Sequence, residues 1–328
     1  MFIGLTYDSR DEYAALGRKS EDIAEFDTEE TISAIETTIQ SLGHRTERIG
    51  HARALCSRLA GGARWDLVFN FAEGLAGRNR EAQVPAILEA YGIPYTLSDA
   101  LVCSVTLDKA VAKRLVASAG LRTPKFKVVR QLFDLAGLSL TYPLFAKPLA
   151  EGTGKGIDAR SRIDSPEQLA QVCGALLERF EQPVLVEEYL PGREFTTGIV
   201  GTGSQARVIG TMEIEILPHA GEAVYSFENK ENCDRLVRYS ALRAGRAKKQ
   251  VEKLALESYR ALECRDAGRV DLRMDGRGRP SFIEVNPLAG MHPTHSDLPM
   301  IATQEGMSYA ELVGAIIESA VRRIPAGG

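Results

Sequence analysis

The stretch GRVDLRMDGRGRPSFIEVNP, residues 268–287, decides the fold. It is typical of two short strands joined by a tight turn at DGRG. Residues two apart in a strand point to the same face, so Phe282, Glu284 and Asn286 should share one face of the second strand. A carboxylate and an amide therefore stand where an apolar residue would ordinarily pack.

The register of this hairpin suggests why. A turn centred within DGRG pairs Asp271 with Glu284 and Met274 with Ser281. Two carboxylates directly opposite each other destabilise a sheet unless a positive charge lies between them. A hard divalent cation supplies that charge, and Asn286 adds a third oxygen ligand. The alternatives are a surface hairpin whose charges face water, and an Arg269–Glu284 pair in a shifted register.

Composition narrows the class of protein. The chain has 328 residues, 44% hydrophobic and 26% charged, which suits two or three globular domains. Its net charge of −4 gives no general attraction to nucleic acid or anionic membranes, so we expect neither as a partner. Its 5 cysteines are scattered without a CxxC pair, as in a reducing compartment. No uncharged apolar run reaches about 18 residues, so we expect a soluble, cytoplasmic protein.

Strands and helices follow two patterns along the chain. Up to about residue 104, strand-like and helix-like segments alternate, which predicts a parallel sheet in an α/β domain. From residue 105 on, shorter strands and hairpins predict α+β structure.

A glycine-rich loop, EGTGKG at 151–156, follows a predicted strand that ends near Lys147. Successive glycines let backbone N–H groups approach phosphate oxygens closely. Lys109, in a helix that we expect Thr106 to cap, and Lys147 could both meet this loop. It is not a Walker A loop, because no Gly-Lys-Ser/Thr opens a helix. A mobile surface hairpin with solvated lysines is the alternative.

The segment VLVEEYLPGREF, residues 184–195, carries Glu187 and Glu194 around a turn. The backbone at such a strand end can read an adenine edge, and the later carboxylate can bind both ribose hydroxyls. Two solvated acids are the alternative interpretation.

In this order the segments resemble the ATP-grasp superfamily, and within it the D-alanine–D-alanine ligase family. The matching stretches are GIPYT, LDKAVAKRLVASAGLRTP, PLFAKP with EGTGKGI, VLVEEYLPGREFTTGIV, ENK, GRVDL, FIEVNPLAGMHPTHSDLP and GMSYAELV. The resemblance implies a three-domain fold: a Rossmann-like parallel domain at 1–104, and two α+β domains, 105–186 and 187–328, that grip ATP.

The resemblance also implies a role for each matched position. The ATP phosphates would be contacted by Lys109, Lys147 and the loop residues Glu151, Gly152, Thr153, Gly154 and Gly156. Glu187 and the backbone near Leu190 would read the adenine, and Glu194 would hold the ribose. Two Mg²⁺ ions, with Mn²⁺ as an alternative, would be held by Asp271, Glu284 and Asn286. The implied catalytic positions are Arg269 at the transition state, Lys230 over the γ-phosphate, Gly290 at an oxyanion site and Ser296 at the acceptor carboxylate.

The first-substrate half departs from the family. YDSRDEYAALGRKSEDIAEF, residues 7–26, lacks the Ser-x-Glu signature whose glutamate binds the first substrate's amino group. Candidate replacements are Glu21, Asp22 and Glu25. The family's His-Gly reads FNFAEG here, its double serine is Thr153-Gly154, and a loop tyrosine is Glu231.

The resemblance implies an ATP-dependent ligase that joins a small acid and an amine, both amino-acid-like, through an acylphosphate. The departures favour an altered first substrate. A true D-alanine–D-alanine ligase is one alternative. A non-catalytic nucleotide-binding regulator is another, against which the complete metal-ligand set speaks. The oligomeric state stays open, with a homodimer compatible with the sequence.

Overall fold

A computed structural model describes residues 1–217 and 236–324 of the chain. Within these residues the strands form one parallel and two antiparallel sheets, which confirms the predicted combination of α/β and α+β structure. No helix in the described ranges has the length and apolar composition that a bilayer crossing requires.

The N-terminal sheet is parallel, with strand order β2–β1–β3. Its strands are β1 (Phe2–Thr6), β2 (Arg45–Arg48) and β3 (Leu67–Asn70). Its helices are α1 (Arg10–Ala15), α2 (Glu29–Ser41), α3 (Ala52–Ala60) and α4 (Gln83–Ala90). A single 3₁₀ turn, Arg80–Ala82, leads into α4. The carboxyl ends of the strands meet at one edge, where ligands bind in open α/β sheets.

Helices α5 (Ala100–Leu107) and α6 (Lys109–Ser118) lead into the middle of the chain. The expected cap of α6 was wrong. Asp108, not Thr106, caps it, because the Asp108 carboxylate accepts hydrogen bonds from the N–H groups of Ala110 and Val111, both at 3.1 Å. The Thr106 hydroxyl instead donates to the Val102 carbonyl within α5.

The middle sheet is antiparallel, in the order β4–β7–β5–β6. Its elements are β4 (Phe126–Val129), β5 (Leu144–Pro148), β6 (Arg162–Ile163), α7 (Pro166–Phe180) and β7 (Val184–Glu188). Strand β7 spans the predicted domain limit between residues 186 and 187, and the domain limits stay a proposal.

The C-terminal sheet has the order β10–β9–β8–β11–β12. Its strands are β8 (Glu194–Val200), β9 (Arg207–Ile216), β10 (Val237–Ala241), β11 (Ala267–Met274) and β12 (Pro280–Asn286). Its helices are α8 (Arg246–Ala261), α9 (Asp297–Gln304) and α10 (Tyr309–Arg322). Leu312 and Ile316 of α10 share a buried core with Ile32 and Ile35 of α2, so the last helix packs against a helix from the start of the chain.

The β11–β12 hairpin has the predicted register over only half its length. Asp271 faces Glu284 as expected, but a β-bulge follows, and Met274 pairs with Pro280 rather than Ser281. Because the bulge inserts Ile283, Phe282 turns into the core and is 0% exposed. The prediction that Phe282 shares a face with Glu284 was therefore wrong.

Candidate active site

One cavity is lined by residues of both antiparallel sheets and of the loop between β5 and β6. Nine residues predicted from the sequence line it: Lys109, Lys147, Glu151, Gly154, Glu187, Leu190, Glu194, Asp271 and Glu284. We call it the nucleotide cavity. Segments far apart in the chain thus meet in one concave site.

At one end of the nucleotide cavity, two lysines approach a carboxylate of the hairpin. Glu284 Oε2 lies 3.5 Å from Lys109 Nζ and 3.9 Å from Lys147 Nζ. Lys109 Nζ also donates to the Glu151 carbonyl oxygen at 2.5 Å. Burial alone would lower the pKa of Lys147, but Glu187 and Glu284 outweigh it and raise that pKa. Lys147 therefore stays cationic, as a phosphate contact requires.

Beneath these lysines, Glu187 lies between two ammonium groups. Its carboxylate is 3.2 Å from Lys147 Nζ and 2.8 Å from Lys113 Nζ. Lys113 is 0% exposed, and burial lowers its pKa to about 8 despite the attraction of Glu187. Burial alone would raise the pKa of Glu187, yet the two lysines hold it below the usual range. Sequence reasoning missed Lys113, because a lysine in an amphipathic helix ordinarily faces water.

The glycine-rich loop is built for close backbone approach. Gly156 has φ +72°, and a Cβ there would lie 2.6 Å from Pro148 Cγ and 2.7 Å from the Phe180 ring. Thr153 has φ +49°, and its buried hydroxyl has no hydrogen-bond partner among residues 1–217 and 236–324. A polar group left unsatisfied in a tightly folded loop is suited to a ligand oxygen.

At the other end of the cavity, Glu194 pairs with an arginine that the sequence did not single out. Arg273 Nη1 lies 3.2 Å from Glu194 Oε2, and Arg273 Nη2 donates to the Tyr189 hydroxyl at 3.2 Å. The Phe145 and Tyr189 rings stack with centroids 6.3 Å apart. The sequence signal was that Arg273 shares a strand face with Asp271.

Arg269 joins the predicted metal ligands to the start of α9. Its Nη1 lies 2.8 Å from Asp271 and 3.0 Å from Asp297. With its carbonyl oxygen turned toward Arg269, Asn286 accepts from Nη2 at 2.5 Å and from Nε at 3.2 Å. Arg269 is thus held by several acceptors.

The predicted metal ligands offer oxygens only, the ligand type that Mg²⁺ prefers. Asp271 and Glu284 face each other across β11 and β12, and Asn286 faces Arg269. In the described part of the chain, no group of three or more His, Cys, Asp or Glu side chains could hold an ion by itself. Mg²⁺ usually takes one or two carboxylates and completes its shell with water and substrate phosphates. The residues present fit such a shared site and not a closed structural one.

The predicted acceptor residues lie together in the loop before α9. A Cβ at Gly290 would lie 2.8 Å from Ser296 Oγ, and that oxygen accepts from the His292 N–H at 2.9 Å. Ser296 also precedes Asp297, the partner of Arg269. Lys230 and Glu231 lie outside the described residues.

The three candidate amino-group anchors of the first loop do not share one position. Glu21 forms an ion pair with Arg179 at 2.6 Å, and Asp22 is exposed. Glu25 is directed at the glycine-rich loop, where its Oε1 accepts from the Gly152 N–H at 2.7 Å. Its Oε2 lies 3.2 Å from Arg80 and 3.5 Å from Lys155. Burial alone would raise the pKa of Glu25, but Arg80 and Lys155 lower it. Glu25 is therefore an ionised carboxylate that binds the glycine-rich loop.

Two antiparallel sheets around a cavity with paired lysines and a glycine-rich loop are the arrangement expected of an ATP-grasp enzyme. Residues 115–318 match the family model for the D-ala D-ala ligase C-terminus. The D-alanine–D-alanine ligase of Bordetella avium is 36% identical over 256 residues, which cover 75% of this chain and 76% of that protein. The "Uncharacterized protein y4sG" of Sinorhizobium fredii is 32% identical over 264 residues, covering 78% and 75%.

A solved structure extends the likeness to the whole chain. The D-alanine–D-alanine ligase from Bacillus anthracis, complexed with ATP, matches with a TM-score of 0.75 over 98% of this chain and 97% of that one. At 23% identity this match shows the fold alone. With the family model and the Bordetella relative, the chain belongs to the D-alanine–D-alanine ligase family of ATP-dependent ligases.

Proposed function

We propose that this ligase phosphorylates a small donor acid with ATP, joins it to the amine of an amino acid, and prefers a donor other than D-alanine. The observation that carries the proposal is the nucleotide cavity, where Lys109, Lys147 and Glu284 meet beside the glycine-rich loop. An altered donor is supported by the first loop, where Glu25 accepts hydrogen bonds from Arg80 and from Gly152 of the glycine-rich loop.

The side chains are suited to phosphoryl transfer, which requires positioning and charge neutralisation more than a protein nucleophile. ATP would supply the phosphoryl group that makes the donor carboxylate reactive, and bound Mg²⁺ would neutralise the charge of the phosphate oxygens. Asp271, Glu284 and Asn286 would hold the Mg²⁺ ions. Lys109 and Lys147 would hold the phosphates in place, and Arg269 would lie beside the reacting carboxylate.

The nucleoside would occupy the other end of the cavity. Glu187 is neutralised by its two lysines, so backbone groups near Leu190 would read most of the adenine edge. Glu194, oriented by Arg273, would bind the ribose hydroxyls. The acceptor would lie near Gly290 and Ser296, which Arg269 reaches through Asp297.

The test is a product balance. Purified protein with Mg²⁺ and ATP is screened against pairs of acids and D- or L-amino acids, and ADP, phosphate and amide are quantified. We expect the three products in equal amounts for at least one pair. ATP binding without acid-dependent ADP release for any pair would contradict catalysis and favour a nucleotide-binding regulator.

A further inference from the structure

Two carboxylates at the ligand edge of the N-terminal sheet have no ion-pair or hydrogen-bond partner for their side chains within residues 1–217 and 236–324. Glu73 follows β3, and Glu81 lies in the 3₁₀ turn Arg80–Ala82. Their chain neighbours are in contact, because a Cβ at Gly74 would lie 2.5 Å from the Arg80 carbonyl oxygen. Glu73 stands in FNFAEG, where the family would place its histidine. Neither residue belongs to the machinery described so far.

Glu81 is directed at the reaction site. It is only 9% exposed, yet it lines a small cavity together with Lys109, Gly152, Glu284 and Asn286. This cavity adjoins the phosphate end of the nucleotide cavity, because Lys109 and Glu284 line both. A buried carboxylate without a partner therefore faces the place where the donor carboxylate would be activated.

The surroundings of these carboxylates are short of available positive charge. Burial raises the pKa of Glu81 to about 7, and burial together with Glu81 raises the pKa of Glu73 well above its usual range. The nearest cations are engaged elsewhere. Arg80 binds Glu25 at 3.2 Å and the Ala150 carbonyl at 3.0 Å, and Lys109 binds the Glu151 carbonyl.

We propose that Glu73 and Glu81 bind the cationic amino group of the donor acid, because Glu21 and Glu25 of the first loop are already paired, with Arg179 and with Arg80 and Lys155. This inference rests on the proposed function and names the donor class as an amino acid held from the β3–α4 side. An ammonium group has three N–H donors and is satisfied by two carboxylates.

The test measures donor activation without needing the natural acceptor. Hydroxylamine captures the acylphosphate, forming a hydroxamate and releasing phosphate while ATP becomes ADP. D-alanine, L-alanine, β-alanine and 4-aminobutyrate are each compared with the acid that lacks the amino group, propionate or butyrate. The proteins are wild type, Glu81→Gln, Glu73→Gln and, as a control for a first-loop anchor, Asp22→Asn, all with Mg²⁺ and ATP.

We expect wild type to prefer at least one amino acid over its matched acid by about 10² in kcat/KM. An acid without the amino group would leave the carboxylates of an ammonium site unpaired. Glu81→Gln and Glu73→Gln should each reduce this ratio about tenfold or more. General damage to the fold would lower both acids of a pair equally and leave the ratio unchanged.

Three outcomes overturn the inference in distinguishable ways. A wild-type preference for the acids without an amino group would contradict the donor class while leaving the proposed ligase chemistry intact. A ratio reduced by Asp22→Asn but not by Glu81→Gln or Glu73→Gln would assign the anchor to the first loop. Absence of hydroxamate with every acid would contradict the proposed function itself, and the inference with it.

Discussion

The nucleotide cavity and the donor pocket, as we call the region of Glu73 and Glu81 where we propose that the donor amino group binds, differ in how their carboxylates are paired. In the nucleotide cavity, acidic side chains face cations: Glu187 is 2.8 Å from Lys113, and Glu194 is 3.2 Å from Arg273. In the donor pocket, Glu73 and Glu81 have no such partner among the described residues, and their pKa values are raised.

The difference shows which charges the fold satisfies by itself and which it leaves for a ligand. Paired charges are oriented before the nucleotide arrives, which is the arrangement that catalysis by positioning requires. Buried carboxylates without partners cost stability, and a protein tolerates that cost mainly where function needs it. Substitutions in either region can test this difference in pairing.

The largest effect is expected at the phosphate end. Glu284→Gln removes a ligand charge at almost constant shape, and turnover should fall by ~10² or more, because charge stabilisation by a bound metal is worth several kcal/mol. Glu215→Gln is the matched control, since Glu215 is exposed on β9 and pairs with Arg238. Steady-state ADP release measures both variants. Near-normal turnover of Glu284→Gln at an ordinary Mg²⁺ concentration would contradict a metal site at Glu284 in the β11–β12 hairpin.

A second variant tests whether the paired charges support the fold. Glu187→Ala leaves Lys113 and Lys147 buried side by side, which should lower the free energy of unfolding by about 3 kcal/mol. Adding Lys113→Met should recover part of the loss, because it removes one uncompensated charge. Chemical denaturation of the two single variants and the double variant gives the coupling free energy. A coupling free energy of zero between Lys113 and Glu187 would contradict the view that their ion pair supports the nucleotide cavity.

A smaller effect is expected at the ribose end. Glu194→Ala should raise the KM for ATP about tenfold and reduce the preference for ATP over 2′-deoxy-ATP, since it removes the acceptor for the ribose hydroxyls. Arg273→Leu should have a similar effect because Arg273 orients Glu194. Kinetics with both nucleotides measure this. If Glu194→Ala kept the wild-type preference for ATP over 2′-deoxy-ATP, the ribose would bind somewhere other than at Glu194.

The smallest effect concerns stability in the donor pocket. The pKa of Glu81 is raised from 4.5 to about 7 in the folded protein, so the folded state binds more protons than the unfolded state over that interval. Stability without ligand should therefore fall as pH rises from about 4.5 to 7 and level off above. At pH 8, Glu81→Gln should be more stable than wild type by about 1 kcal/mol. Urea denaturation at pH 5 and pH 8 measures both, and a less stable variant at pH 8 would show that Glu81 has a partner.

Local patterns predicted much of the fold and of the nucleotide cavity. The pairing of Asp271 with Glu284 follows from strand periodicity and turn position, which short segments contain. The bulge at Ile283 breaks that periodicity, and no local signal marks it, because the gain comes from packing Phe282 into the core. A register is predictable only as far as the strand stays regular.

Contacts between distant segments were beyond such patterns. Lys113 and Glu187 meet only because α6 packs under β7, and Glu25 lies 127 residues before Gly152 in the chain. The departures in the first loop indicated a changed donor site, but they did not indicate Glu81, whose proposed role depends on its burial and on having no partner among the described residues.

The central claim is that the ATP half works as in the family while the donor half does not. The most direct test is ADP release with D-alanine as the only amino-acid substrate, compared with a panel of paired acids and amines under the same Mg²⁺ and ATP. We predict that kcat/KM for D-alanine as donor is ~10² or more below that of the best pair, because the family's anchor is missing from the first loop and the anchor proposed at Glu73 and Glu81 lies at a different place, on the β3–α4 side. D-alanine turned over at a kcat/KM equal to or above every other pair would contradict the account and identify a D-alanine–D-alanine ligase with a diverged loop.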